Sequence, residues 1–406
     1  MAYRVHVATE QRLRPYLERI AGHLKDHRKR ASFAIYAFGL LGDSERKSVE
    51  PIAAAATGAP EDAERMHHKL LHFVGQADWS DERVRLEAAR YVCEVLGERE
   101  ELTTFVIDDT GFLKQGTESP GVQRQYTGSA GKITNCQIGV SLEIATETQH
   151  APVDFELYLP QSWTDSAEKR HKAHIPPEVT FKTKPELALQ MLERAARAGL
   201  PGNIVLADSA YGECAWFRDA VTLLGFDYAF GVKKTLRVVR VGTTGRLGKP
   251  LAVSELAKTI KKRDRRRVHW REGSKSDLSG RFSFCRVKTL HDDGELLQER
   301  ADVWLVVEWP ERVGDRTKYY LSTLPKRMSH KQLVRIIKER WRTERMYQDM
   351  KGELGLDHYE GRSFRGWHHH VSVVIACYAF VIAERARAFP PSTGWQSADG
   401  AHSVAA

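Results

Sequence analysis

The 406-residue chain is poor in cysteine, in long apolar runs and in acid relative to base. Cys93, Cys136, Cys214, Cys285 and Cys377 stand far apart and form no C-x-x-C pair. That argues against a disulfide framework and a structural zinc site, and fits idle thiols in a reducing cytosol. The start, MAYRVHVATEQRLRPYLERI, is charged throughout and has no apolar core of a signal peptide. The longest apolar run, Val371–Ala383, contains Ser372 and is too short to cross a bilayer. A cytoplasmic protein that does not enter membranes is therefore expected. No G-x-x-x-x-G-K-[ST] order is present, which argues against a nucleotide-binding P-loop. No Ser–His–Asp or Cys–His arrangement stands out. Lys and Arg number 62 against 53 Asp and Glu, a formal charge of +9 that gives a modest pointer to a polyanionic partner.

What is present divides the chain by periodicity. Residues 8–98 repeat apolar positions at three- and four-residue spacing, as in Leu13, Tyr16, Leu17 and Ile20, which predicts several short helices. This region carries basic clusters at Lys25–Arg30 and Arg46–Lys47, then His67, His68 and Lys69. From residue 102 the pattern becomes β. LTTFVIDDT, ITNCQIGVSLEIA and APVDFELYLP read as three strands with Gly-rich turns between them. A helix over Pro185–Ala198, a buried strand NIVLADSAYG, a helix over Cys214–Leu224 and a strand DYAFGVK follow. Three adjacent strands, a crossover helix and a parallel strand predict a mixed α/β sheet of RNase H-like outline. TLRVVRVG, RRVHWREG, GRFSFCRVKTL, ADVWLVVEWP and TKYYLSTL predict a β-rich insertion, with the basic stretch KKRDRRRVHWR inside it. The helical period returns after Ser329. The tail beyond Pro390 is rich in Ser, Gly, Ala and Pro and is expected to be disordered. The boundaries are 1–100 (helical), 101–232 (core, first part), 233–326 (β-rich insertion), 327–390 (helical part of the core) and 391–406 (tail).

Asp108 and Asp109 end one apolar strand, and Asp208 ends another. A carboxylate there is costly unless compensated. Two in one sheet, beside an acidic helix, fit divalent ions such as Mg²⁺, which prefer carboxylate oxygens. Arg340, Glu344 and Lys351 are spaced four and then seven apart, so on a helix they share one stripe. The stripe would set a metal-binding carboxylate between two phosphate-binding cations, although a salt-bridged surface helix reads the same way.

These segments resemble the DDE transposases of the insertion sequence 701 family. FVIDDTGFLKQG, GVQRQYTGSAGKITNCQIGVSL, LYLPQSW, VLADSAYG and RWRTERMYQDMKGELGLDHYEGRSFRGWHHH carry the likeness, which covers about residues 10–390. The related Y-(2)-R-(3)-E-(6)-K signature is met at Arg340, Glu344 and Lys351, with Ile337 in place of its Tyr. Tyr347, on the same helix, is a candidate for the missing aromatic contact.

The resemblance implies an RNase H-like core interrupted by a β-rich insertion, an N-terminal DNA-binding head, and cut-and-paste transposition. It implies Asp109, Asp208 and Glu344 as catalytic, metal-binding residues holding two Mg²⁺ ions, with Mn²⁺ as a substitute. Asp108 stays an alternative to Asp109, and Glu353 and Glu360 are competitors to Glu344. The partners implied are double-stranded DNA, as terminal inverted repeats and target, and a second copy in a homodimer on DNA. Lys114, Arg124 and Lys132 lie in the Gly-rich segment beside the first Asp and are candidate DNA contacts. Trp270, in the basic stretch, is a candidate for stacking on a base. Trp304 is expected in the core. His368, His369 and His370 point in different directions on a helix, so a surface or DNA-facing role is expected of them, not metal binding.

Overall fold

The computed structural model describes residues 7–242, 244–271, 278–290, 301–312 and 314–388, so the expected tail at 391–406 lies outside the described residues. Five helices come first: α1 (Val7–Ala21), α2 (His27–Leu41), α3 (Val49–Ala55), α4 (Pro60–Gly75) and α5 (Asp81–Gly97). Their starts follow from local chemistry. Asp26 accepts from the Arg28 amide, Pro60 occupies the first turn of α4, and Ser80 accepts from the Arg83 amide.

The sheet opens with β1 (Thr104–Leu113), β2 (Gln123–Thr127), β3 (Lys132–Ala145) and β4 (His150–Tyr158). After α6 (Gln161–Thr164) and α7 (Ala167–Lys172) come α8 (Lys184–Arg197), β5 (Ile204–Ala207), α9 (Ser209–Gly212), α10 (Ala215–Leu223) and β6 (Asp227–Val232). α8 begins with a full capping box between Thr183 and Glu186. β3 pairs antiparallel with both β1 and β4, while β5 is parallel to β1 and to β6. The order β4-β3-β1-β5-β6 is the mixed α/β, RNase H-like core that the sequence predicts.

The β-rich insertion is no separate layer. It comprises β7 (Arg237–Val241), β8 (Leu247–Ala252), α11 (Val253–Lys258), β9 (Arg266–Arg271), β10 (Leu278–Thr289), β11 (Val303–Trp309) and β12 (Lys318–Ser322). β12 pairs antiparallel with β6, from Tyr319 beside Val232 to Ser322 beside Ala229. The insertion therefore extends the core into one 12-stranded sheet. β8 and α11 were not expected from the sequence.

Three helices close the chain: α12 (His330–Lys338), α13 (Trp341–Leu354) and α14 (Phe364–Ala388). α14 is 25 residues long and buried on nearly all sides from Gly366 to Ala383, as its continuous apolar composition demands. The N-terminal helices wrap it, with the Tyr16 hydroxyl donating to the Ala376 carbonyl at 2.5 Å. Residues of α1–α5, α14 and the core strands belong to one hydrophobic cluster. The expectation that His368–His370 lie at the surface is corrected: all three are buried. His369 meets the carbonyls of Val74 and Trp79, and His370 meets the Tyr36 hydroxyl and the Gly355 carbonyl. The hydroxyl and the carbonyl satisfy both nitrogens of His370, while neutral His369 can give its single N–H to one of its two carbonyls.

Candidate active site

Neighbouring residues of a strand face opposite ways, and β1 uses this to separate its two aspartates. Asp108 and Thr110 face α13 and the residue before it: Arg340 donates to Asp108 Oδ2 at 2.9 Å, and Lys351 donates to Thr110 Oγ1 at 2.9 Å. Asp109 faces α8, where Lys184 Nζ reaches its Oδ2 at 3.0 Å. Asp208 follows the last residue of β5 and caps α9, accepting from the Ala210 amide at 2.8 Å. The parallel register pairs Val106 with Leu206. Two residues further along adjacent strands, Asp108 and Asp208 thus leave the sheet on one side.

Electrostatics couples them. Burial, helped by Glu143 and Asp208, pushes the Asp108 carboxyl up to about 7 against the pull of Arg340. Burial works against the Arg340 charge, but Asp108 and Asp208 hold its pKa above the ordinary value.

The Arg340–Glu344–Lys351 stripe exists, with Arg340 as the helical residue that precedes α13. Both of its cations turn inward onto β1. Lys351 also donates to the Gly111 carbonyl at 2.7 Å. Glu344 lies between them and is exposed. Among the described residues, no three acidic, imidazole or thiol side chains converge on a point a metal could occupy. The donor chemistry nevertheless fits a hard divalent ion: Asp108, Asp208 and Glu344 offer oxygens only, and half-buried Asp108 has Arg340 as its ion-pair partner.

Other expected site residues are placed as follows. Lys114 turns inward to the Tyr359 carbonyl at 2.6 Å, while Arg124 and Lys132 are exposed on the β2–β3 hairpin. Trp270 packs edge-on against Phe282 with Lys338 Nζ 5.2 Å from its ring, so it is half-buried. Trp304 is also half-buried, beneath Arg286. Tyr347 is buried with its hydroxyl 2.5 Å from Ser141 Oγ, which corrects the expectation that it could reach DNA. Ile337 is buried in the apolar cluster between α12 and the sheet, where a tyrosine hydroxyl would need a partner. Glu353 is exposed near the end of α13, and Glu360 pairs with Arg46 at 2.6 Å.

Sequence reasoning missed Lys184, Thr343 and Glu143. A signal for Glu143 was available, since it is a carboxylate inside the apolar run VSLEIA. Burial pushes Glu143 up to about 8 and Glu339 up to about 7. Raised carboxyls stabilise the fold below their unfolded pKa, and that contribution is lost as pH rises through the folded values. Stability from this pair should therefore decline between about pH 4.5 and 8. Glu143→Gln should flatten that decline in urea titrations run across the range; an unchanged slope would sink the assignment.

The chain matches the model of the DDE superfamily endonucleases over residues 19–277 and that of the transposase DDE domain over residues 182–380. It belongs to the DDE superfamily, a class of nuclease-type enzymes. It is also 24% identical, over 82% of its length and 79% of the relative's, to a probable transposase for insertion sequence element IS701 from Microchaete diplosiphon. That likeness, with the two family models, supports the insertion sequence 701 family of DDE transposases. The crystal structure of the NurA nuclease from Sulfolobus solfataricus aligns over 62% of this chain and 79% of that one, with 12% identity and a TM-score of 0.22, too low to inform the fold. No helix among the described residues is long and apolar enough to cross a membrane.

Proposed function

We propose that the protein is a transposase that cuts phosphodiester bonds at the ends of its own insertion sequence and joins the freed ends to target DNA. The observation that carries this reading is the shared rim of Asp108 and Asp208 beneath the Arg340–Glu344–Lys351 stripe. Asp108, Asp208 and Glu344 would hold two Mg²⁺ ions, or Mn²⁺ in their place. Bound there, the ions would supply an activated oxygen nucleophile and charge neutralisation on the phosphorane. Arg340 and Lys351, fixed on β1, add positive charge beside the reacting phosphate. Two element ends must be held together, which favours a homodimer on DNA. Asp208→Ala should abolish Mg²⁺-dependent cutting of DNA bearing the terminal inverted repeats while binding persists. Cutting that survives would refute the site, and products that are cut but never joined would make the protein a nuclease.

Charge suggests where the DNA backbone lies. Residues 233–288 hold 18 Lys and Arg against 4 Asp and Glu, a net of +14, whereas the whole chain carries +9. Residues 1–100 hold 16 of each sign and are neutral. Several cations of the N-terminal clusters are also engaged internally: Lys29 on the Asp78 carbonyl, Arg30 on that of Leu24, Lys47 on that of Gly42, and Arg46 on Glu360. Lys233, Lys234, Arg237, Arg240, Lys249 and Arg266 are instead exposed, without an ion pair among the described residues. The sheet extension thus suits the sequence-independent grip on phosphates. Changing Lys233, Lys234, Arg237 and Arg240 together to Gln should lower the slope of log affinity against log salt by roughly 3 to 4, at about 0.9 per phosphate contact. Equivalent changes at Lys25, Arg28 and Lys69 should leave it nearly unchanged. Fluorescence anisotropy between about 50 and 200 mM salt reads both.

A further inference from the structure

α13 is pinned to β3 by two hydroxyl contacts. Thr343 Oγ1 donates to Glu143 Oε2 at 2.8 Å, and one turn later Tyr347 Oη lies 2.5 Å from Ser141 Oγ. Four helical residues rise about 6 Å and two strand residues about 6.8 Å, so the spacings on helix and strand match.

Glu143 is an unusual residue to find there. Its relative exposure is 0%, and among the described residues its side chain's hydrogen-bond partners besides Thr343 are Ser141 Oγ at 3.3 Å and His150 Nδ1 at 3.2 Å. Burial pushes His150 down to about 3, so the ring is neutral, and the positive charge acting on Glu143 is that of Arg340, which is itself engaged with Asp108. A buried carboxyl costs stability that a leucine would not. The β3–β4 register shifts here by one extra residue on β4, Val153, while the pairing of β3 with β1 stays regular through Glu143, so Glu143 and Ser141 face α13 together.

The apolar contacts of α13, from Met346, Met350 and Leu354, set how deep the helix sits. They are non-directional and leave its roll about its own axis weakly defined. The directional contacts define the roll: Arg340 and Lys351 hold the two ends to β1, and the hydroxyl bonds hold the turn that carries Glu344 to β3. Glu344 follows Thr343 by about 100° around the helix. With its carboxylate about 6 Å from the axis, a roll of about 20° would move it by about 2 Å. A misplacement of about 1 Å can cost about 10²-fold in rate.

We propose that Glu143 is a positioning residue for the reaction: its carboxyl, holding the Thr343 hydroxyl, fixes the roll of α13 at the turn that carries Glu344 and so places Glu344 relative to Asp108 and Asp208. The proposal rests on the reading of those three carboxylates as the metal-binding set.

Five single variants of the full chain and one double variant test it: Glu143→Leu, Glu143→Gln, Thr343→Val, Thr343→Ser, Glu344→Gln, and Glu143→Leu combined with Thr343→Val. Mn²⁺ binding to the DNA-free protein is followed by calorimetry, cutting by gel assay, and folding by urea midpoint. Glu143→Leu and Thr343→Val, while folded, should weaken Mn²⁺ binding about tenfold or more and slow cutting about 10²-fold. Glu143→Gln and Thr343→Ser keep the hydrogen bond and should stay within about threefold of the parent. Combining Glu143→Leu with Thr343→Val should do no more harm than the worse single change, because both remove one contact. Should Glu143→Leu fail to fold, the Thr343 pair decides alone. Normal Mn²⁺ binding and cutting in Thr343→Val overturns the proposal, as does an equal loss in Thr343→Val and Thr343→Ser. Glu344→Gln separates the two levels. If it binds Mn²⁺ and cuts normally, the metal-set reading falls and takes the positioning role of Glu143 with it. If it is impaired while Thr343→Val is normal, the positioning role alone falls.

Discussion

Asp108→Asn is expected to reduce metal-dependent cutting of end-bearing DNA by about 10³-fold or more, a barrier of about 4 kcal/mol, while Asp109→Asn stays within about tenfold. The two residues differ by one position and by which face of the sheet they serve. Asp108 shares its side with Asp208 and with the segment carrying Arg340 and Glu344. Asp109 points to α8 and pairs with Lys184, both side chains partly exposed. Such a pair contributes about 0–1 kcal/mol of stability, so its loss should barely register in folding. DNA binding, read by anisotropy, should persist in both variants. The reverse outcome, with Asp109→Asn inactive and Asp108→Asn competent, would move the metal site to the other face and detach it from Glu344.

The largest stability effect is expected from Arg85→Ala. Arg85 on α5 is buried and donates to Asp81 at 2.6 Å, to Asp154 on β4 at 2.8 Å and to Ser372 on α14 at 2.9 Å. Arg194 on α8 completes the network through Asp154 at 2.8 Å and Glu156 at 2.6 Å. Truncating Arg85 strands buried carboxylates, which costs about 3–5 kcal/mol when a buried ion pair loses one partner. Lysine should not restore it, because an ammonium cannot bridge two carboxylates as the guanidinium fork does. Urea unfolding measures the effect, and a loss below about 1 kcal/mol would mean that water reaches the network. Burial opposes the Glu156 charge, but His368, Arg194 and Arg85 together hold its carboxyl down to about 2. Its contribution is present above about pH 4.5 and is lost as pH falls toward 2.

The core strands were legible because each carries a β-branched apolar run, although β1 continues through Asp108 and Asp109 to Leu113 where an end was expected, and the stripe because helical spacing is local. The choice between Asp108 and Asp109 was not. Alternation says that neighbours diverge, but the side that receives α13 is decided by packing more than 200 residues away in sequence. Likewise, the composition of β12 announced a strand but not its partner, and only its pairing with β6 turns an insertion into an extension. The three histidines looked polar because the carbonyls and the hydroxyl that meet His369 and His370 come mostly from the first 80 residues. Glu143 was overlooked because a buried carboxyl has meaning only beside the hydroxyl it holds, 200 positions later.

The wrapping of α14 by the first helices sets an order of events at the ribosome. Tyr16 must wait for Ala376, and Arg12 for Glu384, a separation of 372 residues. Contacts so distant in sequence are slow to form and leave apolar surface uncovered meanwhile. The chain must be made through α14 (Phe364–Ala388) before the opening helices meet the helix they enclose. A message cut short before residue 364 would therefore release those helices without their centre, as prey for proteases and chaperones instead of a free-standing fragment able to compete for the same DNA.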